Sequence, residues 1–272
     1  MKMILLIRES AFQIYCANTL FLAGLLDEAM VEDGISVSEE KVTIRDFLSK
    51  LRAGLSHILT NPISGPRRTL LHLRNLLNHH KYYGDWHFHH QRILNNYLAF
   101  EPKLPIIRVN DINGPQAISY LQKANADLVF VHGTRLIRRP MLESVKAPLV
   151  NLHWGWSPNY RAEGIVSALA LEGPKALGVT VHLIDEGIDS GDILYQARPT
   201  IDTLDNFYSV GLKLTVLGTD LFLRVADDYL KHGKLIGAKQ MKHKSQLFSG
   251  QYLRNHPELY PLAWKNLRNF ET

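Results

Sequence analysis

The stretch NLHWGWSPNYR, from Asn151 to Arg161, sets an amide at Asn151 and an imidazole at His153 two residues apart, directly after the apolar run APLV. In an extended segment, residues i and i+2 face the same side. Both side chains therefore enter one cleft. An amide N–H can donate to an oxygen on which charge develops, and an imidazole moves protons near neutral pH. Gly155 and Pro158 then turn the chain away. A second segment, GVTVHLIDEGIDSGDI, runs from Gly178 to Ile193 and alternates acid and glycine at Asp185, Gly187, Asp189 and Gly191. A carboxylate there can orient His153 or take a proton, and the glycines permit positive φ and close backbone approach to a flat ligand. The same acidic loop could equally hold a cation. Taken singly, Asn151 satisfies backbone groups at a strand end, His153 is a structural histidine and Asp189 a turn residue. The chemistry rests on their joint occurrence.

These residues need a scaffold that brings strand ends together. Met3–Ile7 reads as a first strand, and Ser10 stands where it could cap a helix running to about Leu22. EAMVE reads as a second strand. PIIRV (strand), NGPQAISYLQKA (helix with proline near its start), DLVFVH (strand), RRPMLESV (short helix) and PLVNLH (strand) follow in alternation. GVTVHLI and DILYQARPTI are further strands, and LDNFYSVGLKLTVLGTDLFLRVADDYLK is a long amphipathic helix. Strand–helix alternation predicts an α/β fold with a mostly parallel sheet, whose ligands gather beyond the carboxyl ends of the strands. Residues from about 41 to 100 break this rhythm with helical spacing in FLSKLRAGLSHIL, RTLLHLRNLLNHH and HQRILNNYLAF, and form a helical insertion rich in Lys, Arg and His. The division expected is 1–203 for the catalytic domain with that insertion, and 204–272 for the long helix and a tail without a clear sheet signal. The tail is expected to fold over the site or to form a subunit contact, the latter in a homodimer.

The chain has 272 residues, 46% hydrophobic and 21% charged, with a single cysteine, Cys16. No intramolecular disulfide can form, which favours a reducing compartment. The apolar run at the start is too short for a signal peptide or a membrane span, so a cytoplasmic protein with no membrane contact is expected. The net charge of +5 could attract an anionic partner, but without a nucleic-acid motif it reads as a mildly basic surface. WHFHH groups His87, His89 and His90, yet the spacing matches no metal motif and offers no fourth ligand. No metal is called for.

The pair NLHWGWSPNYR and GVTVHLIDEGIDSGDIL, with INGPQAISYLQKANADLVFVHGTRLI upstream, resembles the folate-dependent formyltransferases, which include glycinamide ribonucleotide, methionyl-tRNA and amino-sugar formyltransferases. The likeness covers about 105–202 and the first strand. It implies a Rossmann-like sheet of the formyltransferase type and transfer of a formyl group from formyl-tetrahydrofolate to an amine through a tetrahedral intermediate. It also implies that Asn151 stabilises the oxyanion, that His153 stabilises that charge or shuttles a proton, and that Asp189 holds the imidazole or an ordered water and helps remove the amine proton. The backbone of Asp185, Glu186 and Gly187 would cradle the pterin ring, with Gly133, Thr134, Arg135 and Leu136 lining the same pocket. His182 is typical of the family, with strand packing as its other reading.

The sequence also departs from the family. Glycine often follows the Tyr-Arg pair directly, whereas Tyr160-Arg161 here precedes Ala162 and Glu163. Trp154 and Trp156 are large enough for an aromatic wall or for core packing. The loop RESAFQ after the first strand lacks the glycine that holds phosphate in glycinamide ribonucleotide enzymes. Only about forty residues follow the long helix, fewer than the C-terminal domain of methionyl-tRNA enzymes needs. The folate hydrolases carry an extra N-terminal domain, and this chain starts with its first strand. The expectation is therefore a formyltransferase acting on a small amine, with an amino-sugar nucleotide as favoured acceptor and no nucleic acid. Arg67, Arg68 and Arg74 of the insertion are candidates to hold a diphosphate or simply form a solvated basic face. The alternatives are a glycinamide ribonucleotide or methionyl-tRNA formyltransferase-like enzyme, the hydrolase, and a non-catalytic folate-binding member of the fold.

Overall fold

The computed structural model describes residues 1–33, 70–94 apart from 72, 76 and 85, 99–241 and 245–269. The expected helix FLSKLRAGLSHIL and the candidates Arg67 and Arg68 lie outside the described residues. So does the side chain of His87.

In chain order the elements are β1 (Met3–Arg8), α1 (Ala11–Leu22), β2 (Glu28–Glu32), α2 (His79–Tyr83), α3 (Trp86–Leu94), β3 (Ile106–Val109), α4 (Pro115–Ala124), β4 (Leu128–His132), α5 (Arg139–Ser144) and β5 (Leu149–His153). They continue with β6 (Arg161–Ala162), α6 (Gly164–Leu171), β7 (Val179–Leu183), β8 (Ile193–Ala197), α7 (Phe207–His232), β9 (Leu247–Phe248), α8 (Gly250–Asn255) and α9 (Leu259–Arg268). Among the described residues a seven-stranded sheet has the order β3-β2-β1-β4-β5-β7-β8. Its first five members are mutually parallel. β7 joins β5 antiparallel and β8 joins β7 antiparallel. The expected α/β fold with a mostly parallel sheet is the fold observed.

Strands buried on both faces read as continuous apolar runs, as MILLIR and LVFVH do. On one face, Leu5, Ile7, Phe130, Val150, Leu152 and Val181 pack with Cys16 and Leu20 of α1 and Phe222 and Val225 of α7. The rings of Phe130 and Phe222 lie 4.5 Å apart. On the other face, Ile4, Leu6, Val129, Val131 and Leu149 meet Leu121 of α4 and Met141 of α5. β5 is thus clamped from both sides, which fixes the height at which its carboxyl end emerges.

α7 starts with a reciprocal cap: the Asn206 side chain accepts from Ser209 N–H, and the Ser209 hydroxyl accepts from Asn206 N–H. It ends at Gly233 with φ 66, a left-handed C-terminal position. α3 docks on this start. Asn206 Nδ2 lies 2.9 Å from His89 Nε2 and Tyr208 Oη 2.5 Å from His90 Nε2. Arg92 and Lys213 both pair with Asp202 and Asp205. His89 and His90 are therefore engaged in hydrogen bonds that hold α3 to α7. At the other capping position, Ser10 precedes α1 as expected, but its hydroxyl bonds Gln13 and caps no backbone N–H.

Leu247–Phe248 forms a parallel ladder with Arg161–Ala162, and α8 and α9 follow. A two-residue strand is too short to show a period in sequence. Asn266 Nδ2 of α9 donates to Leu169 O and Ala170 O at the end of α6 at 2.8 and 3.1 Å. Phe248 stacks on Tyr160 with centroids 5.7 Å apart. The tail therefore lies against the turn that follows His153.

Candidate active site

Asn151 and His153 leave the same side of β5. Antiparallel pairing sets Asn151 opposite His182 and His153 opposite Thr180. Asp189 closes the group from the β7–β8 connection. Its Oδ1 accepts from Asn151 Nδ2 at 3.2 Å, lies 3.4 Å from His182 Nε2, and its Oδ2 lies 3.4 Å from His153 Nδ1. The Ala162 N–H donates to Oδ2 at 2.9 Å. A carboxylate accepts only, so the amide nitrogen of Asn151 faces it. That nitrogen also lies 3.2 Å from His182 Nε2.

The neighbours fix the imidazole orientations. His153 Nε2 lies 2.8 Å from the carbonyl of Tyr160. A carbonyl only accepts, so that nitrogen carries hydrogen and Nδ1 turns to Asp189. By the same argument, His182 Nδ1 donates to Leu183 O at 2.7 Å, and its Nε2 is left to receive from Asn151 or, when protonated, to donate to Asp189. The Asp189 side chain is only 14% exposed. Burial on its own raises a carboxyl pKa. Here the charge of His153, the hydrogen bond and charge of His182 and the Ala162 N–H outweigh it and hold Asp189 well below the usual carboxylate range. Asp189 is an anion at neutral pH, set between two imidazoles and an amide.

The acidic loop differs from its expectation in one respect. The left-handed residue is Asp189 itself, with φ 48, while its flanking glycines serve close packing. A Cβ on Gly191 would stand 1.8 Å from the carbonyl oxygen of Leu183, so only glycine fits. Asp185 Oδ1 accepts from Gly187 N–H at 3.0 Å and from Ser190 Oγ at 2.7 Å, and folds the loop onto itself.

Asp185 and Glu186 border a cleft of about 450 Å³ whose walls are Leu142, Val145, Ala147, Pro148, Leu149, Leu183 and Ile184. Apolar walls with a folded backbone at one rim suit a flat ring. Gly133, Thr134, Arg135 and Leu136 do not line this cleft; they form the turn beyond β4. Gly133 has φ 69 and a Cβ there would strike Gln13, while Leu136 is 51% exposed. Arg139, at the start of α5, reaches the acidic loop: its Nε lies 3.7 Å from Glu186 Oε1, both largely exposed. Glu32, buried at the end of β2, holds the turn: its carboxylate accepts from Ile112 N–H at 3.0 Å and pairs with Arg8 at 3.2 Å and Arg135 at 3.7 Å.

Trp154 and Trp156 take packing roles. Trp154 meets Phe12 edge-on at 4.9 Å and His132 at 5.7 Å, and Arg198 stacks on Trp156 at 3.9 Å. Tyr160 braces the turn through a 2.5 Å hydrogen bond from its hydroxyl to Glu172. His132 is fully enclosed; burial pushes it down to about 4, so it is neutral at pH 7. Two contributors carry no local sequence signal for this site: Ala162, through its N–H, and Gln240, whose Nε2 donates to Asp189 O at 2.9 Å and Gly191 O at 2.8 Å. Among the described residues no group of His, Cys, Asp or Glu is arranged to hold a metal ion, and no helix is long and apolar enough to cross a membrane.

A mostly parallel sheet thus brings an amide, two imidazoles and a carboxylate together beside β5. The chain belongs to the formyl transferase family, whose model matches residues 78–226, more than half of its length. The methionyl-tRNA formyltransferase of Finegoldia magna is 31% identical over 135 residues, 49% of this chain and 44% of that protein. That of Syntrophomonas wolfei is 29% identical over 140 residues, 51% of this chain and 44% of that protein. The chain thus matches less than half the length of these relatives. Among solved structures, a 4-N formyltransferase from Francisella tularensis aligns with a TM-score of 0.56 at 16% identity, over 98% of this chain and 87% of that one. Glycinamide ribonucleotide transformylase 1 from Symbiobacterium toebii aligns with a TM-score of 0.54 at 15% identity, over 88% and 93%. At these identities the likeness is one of fold.

Proposed function

We propose that the protein is an N-formyltransferase that moves a formyl group from formyl-tetrahydrofolate to the primary amine of a small molecule, with an amino-sugar nucleotide as acceptor, in a reducing, cytoplasmic setting. The observation that carries this reading is the Asp189 carboxylate seated between Asn151 at 3.2 Å and His153 at 3.4 Å in a chain of the formyl transferase family. Formyl-tetrahydrofolate supplies the electrophilic formyl carbon. The apolar cleft beside Asp185, Glu186 and Gly187 is where its flat ring would rest, with Gly133, Thr134, Arg135 and Leu136 at the neighbouring turn.

The residues of this chain divide the work. Asn151 Nδ2 gives up one of its present partners and donates to the oxygen on which charge grows. His153, with the hydrogen on Nε2 held by the Tyr160 carbonyl, turns Nδ1 to the same side, where it can take up and give back a proton. Asp189, ionised and sheltered, holds the imidazole while His153 takes the proton of the attacking amine and returns it to the folate nitrogen, whose bond to the formyl carbon breaks as the tetrahedral intermediate collapses and tetrahydrofolate leaves. Fold alone does not choose the acceptor. A structure of similar fold from Shewanella, named a sugar N-formyltransferase, favours an amino-sugar acceptor. The methionyl-tRNA formyltransferases among the relatives support a second reading, in which the amine is that of a charged tRNA. Incubating the protein and formyl-tetrahydrofolate with amino-sugar nucleotides and with methionyl-tRNA, and reading products by mass, separates the two. A gain of one formyl group on a sugar supports the first reading; a gain on the tRNA alone replaces it with the second.

A further inference from the structure

We infer that Gln240 is a positioning residue for the Asp189 carboxylate, acting through the backbone of the 189–191 turn. This rests on the catalytic reading of Asp189 and extends it to a residue some fifty positions away. Asp189 sits in a left-handed conformation, φ 48, which aspartate tolerates better than most residues. Gln240 ties down the backbone on both sides of it. Its Nε2 donates to Asp189 O at 2.9 Å and to Gly191 O at 2.8 Å. Both acceptors are carbonyls, so the amide can point only one way.

Two further contacts make the arrangement a clamp. Ala238 and Ile193 exchange both backbone hydrogen bonds at 2.8 Å, fastening the segment before Gln240 to β8. Beyond it, Gln246 N–H donates to Pro158 O at 2.9 Å, Arg161 N–H to Gln246 O at 3.1 Å and Glu163 N–H to Phe248 O at 2.9 Å. These fix Ala162, whose N–H reaches the Asp189 carboxylate at 2.9 Å. The tail thus holds Asp189 at its carbonyl end and at its carboxylate end. Among the described residues the buried Oε1 of Gln240 has no hydrogen-bond partner, and the side chain is held by its two donated bonds. A glutamine that merely glued the tail down would leave the environment of Asp189 unchanged when removed.

The test is the titration of the Asp189 carboxyl, followed by carbon-13 NMR in the full chain and in Gln240→Met, which keeps the volume and loses the donors. The groups facing Asp189 are His153 on β5, His182 on β7, the Ala162 N–H and Glu163. In Gln240→Met the carboxyl should titrate higher by about one unit or more as it slips from the imidazoles. In the same variant, kcat should fall about 10-fold or more while the KM for folate stays within about twofold. Should Gln240→Met not fold, Gln240→Asn keeps the amide one methylene short of both carbonyls and is read the same way. An unchanged titration in a folded variant overturns the inference. That readout needs no turnover, so it stands or falls separately from formyl transfer, which is judged on the unaltered protein.

Discussion

The backbone N–H of Ala162 donates to Oδ2 of Asp189 at 2.9 Å, and both residues hold left-handed backbone, φ 66 and φ 48. One strained turn therefore carries the carboxylate and another carries a donor that keeps it charged. After the Tyr-Arg pair this chain places alanine and holds it with the β6–β9 ladder. Replacing Ala162 by glycine should keep activity and raise stability by about 1 kcal/mol, the usual scale of the left-handed penalty. Urea unfolding checks it, and a loss of stability would mean that the turn is unstrained.

Removing the Asn151 amide tests the oxyanion role. In Asn151→Ala, kcat should drop by a factor of ~10²–10³ with little change in the KM for folate. Steady-state kinetics read both. A rise in KM with unchanged kcat would assign Asn151 to binding instead.

The buried His132 gives a stability prediction with a definite sign. Its folded value is about 4, against an ordinary 6.5. Between these values the unfolded chain binds the extra proton, so folding stability is present above about 6.5 and is lost as pH falls towards 4. In His132→Asn the slope of stability against pH should flatten over that window. Denaturation midpoints at a series of pH values measure it; equal slopes would mean that His132 keeps an ordinary titration in the fold. Asp189, also held below its ordinary value, has the same sense in a lower window: its contribution holds above the usual carboxylate range and is lost only in stronger acid.

What could be read from the sequence follows physical lines. The period of two in NLH and the acid–glycine alternation around Asp189 are local, and the structure brings Asn151, His153 and Asp189 to within hydrogen-bonding or ion-pair distance of one another. The main strands were visible because they are buried on both faces. His182 joins the group only through antiparallel register with Asn151, which no local pattern states. Gln240 and the Leu247–Phe248 strand act at long range from polar, aperiodic sequence, and the left-handed residue of the acidic loop is the acid itself where its glycines were the expectation.

The most direct test compares the unaltered protein with Asp189→Asn, each given formyl-tetrahydrofolate and the panel of amino-sugar nucleotides, with products weighed by mass spectrometry. The account predicts one added formyl group on a sugar with the unaltered protein, and product formation lowered by a factor of ~10² or more with Asp189→Asn. Equal product from both, or folate cleaved to formate with no acceptor modified, would contradict it.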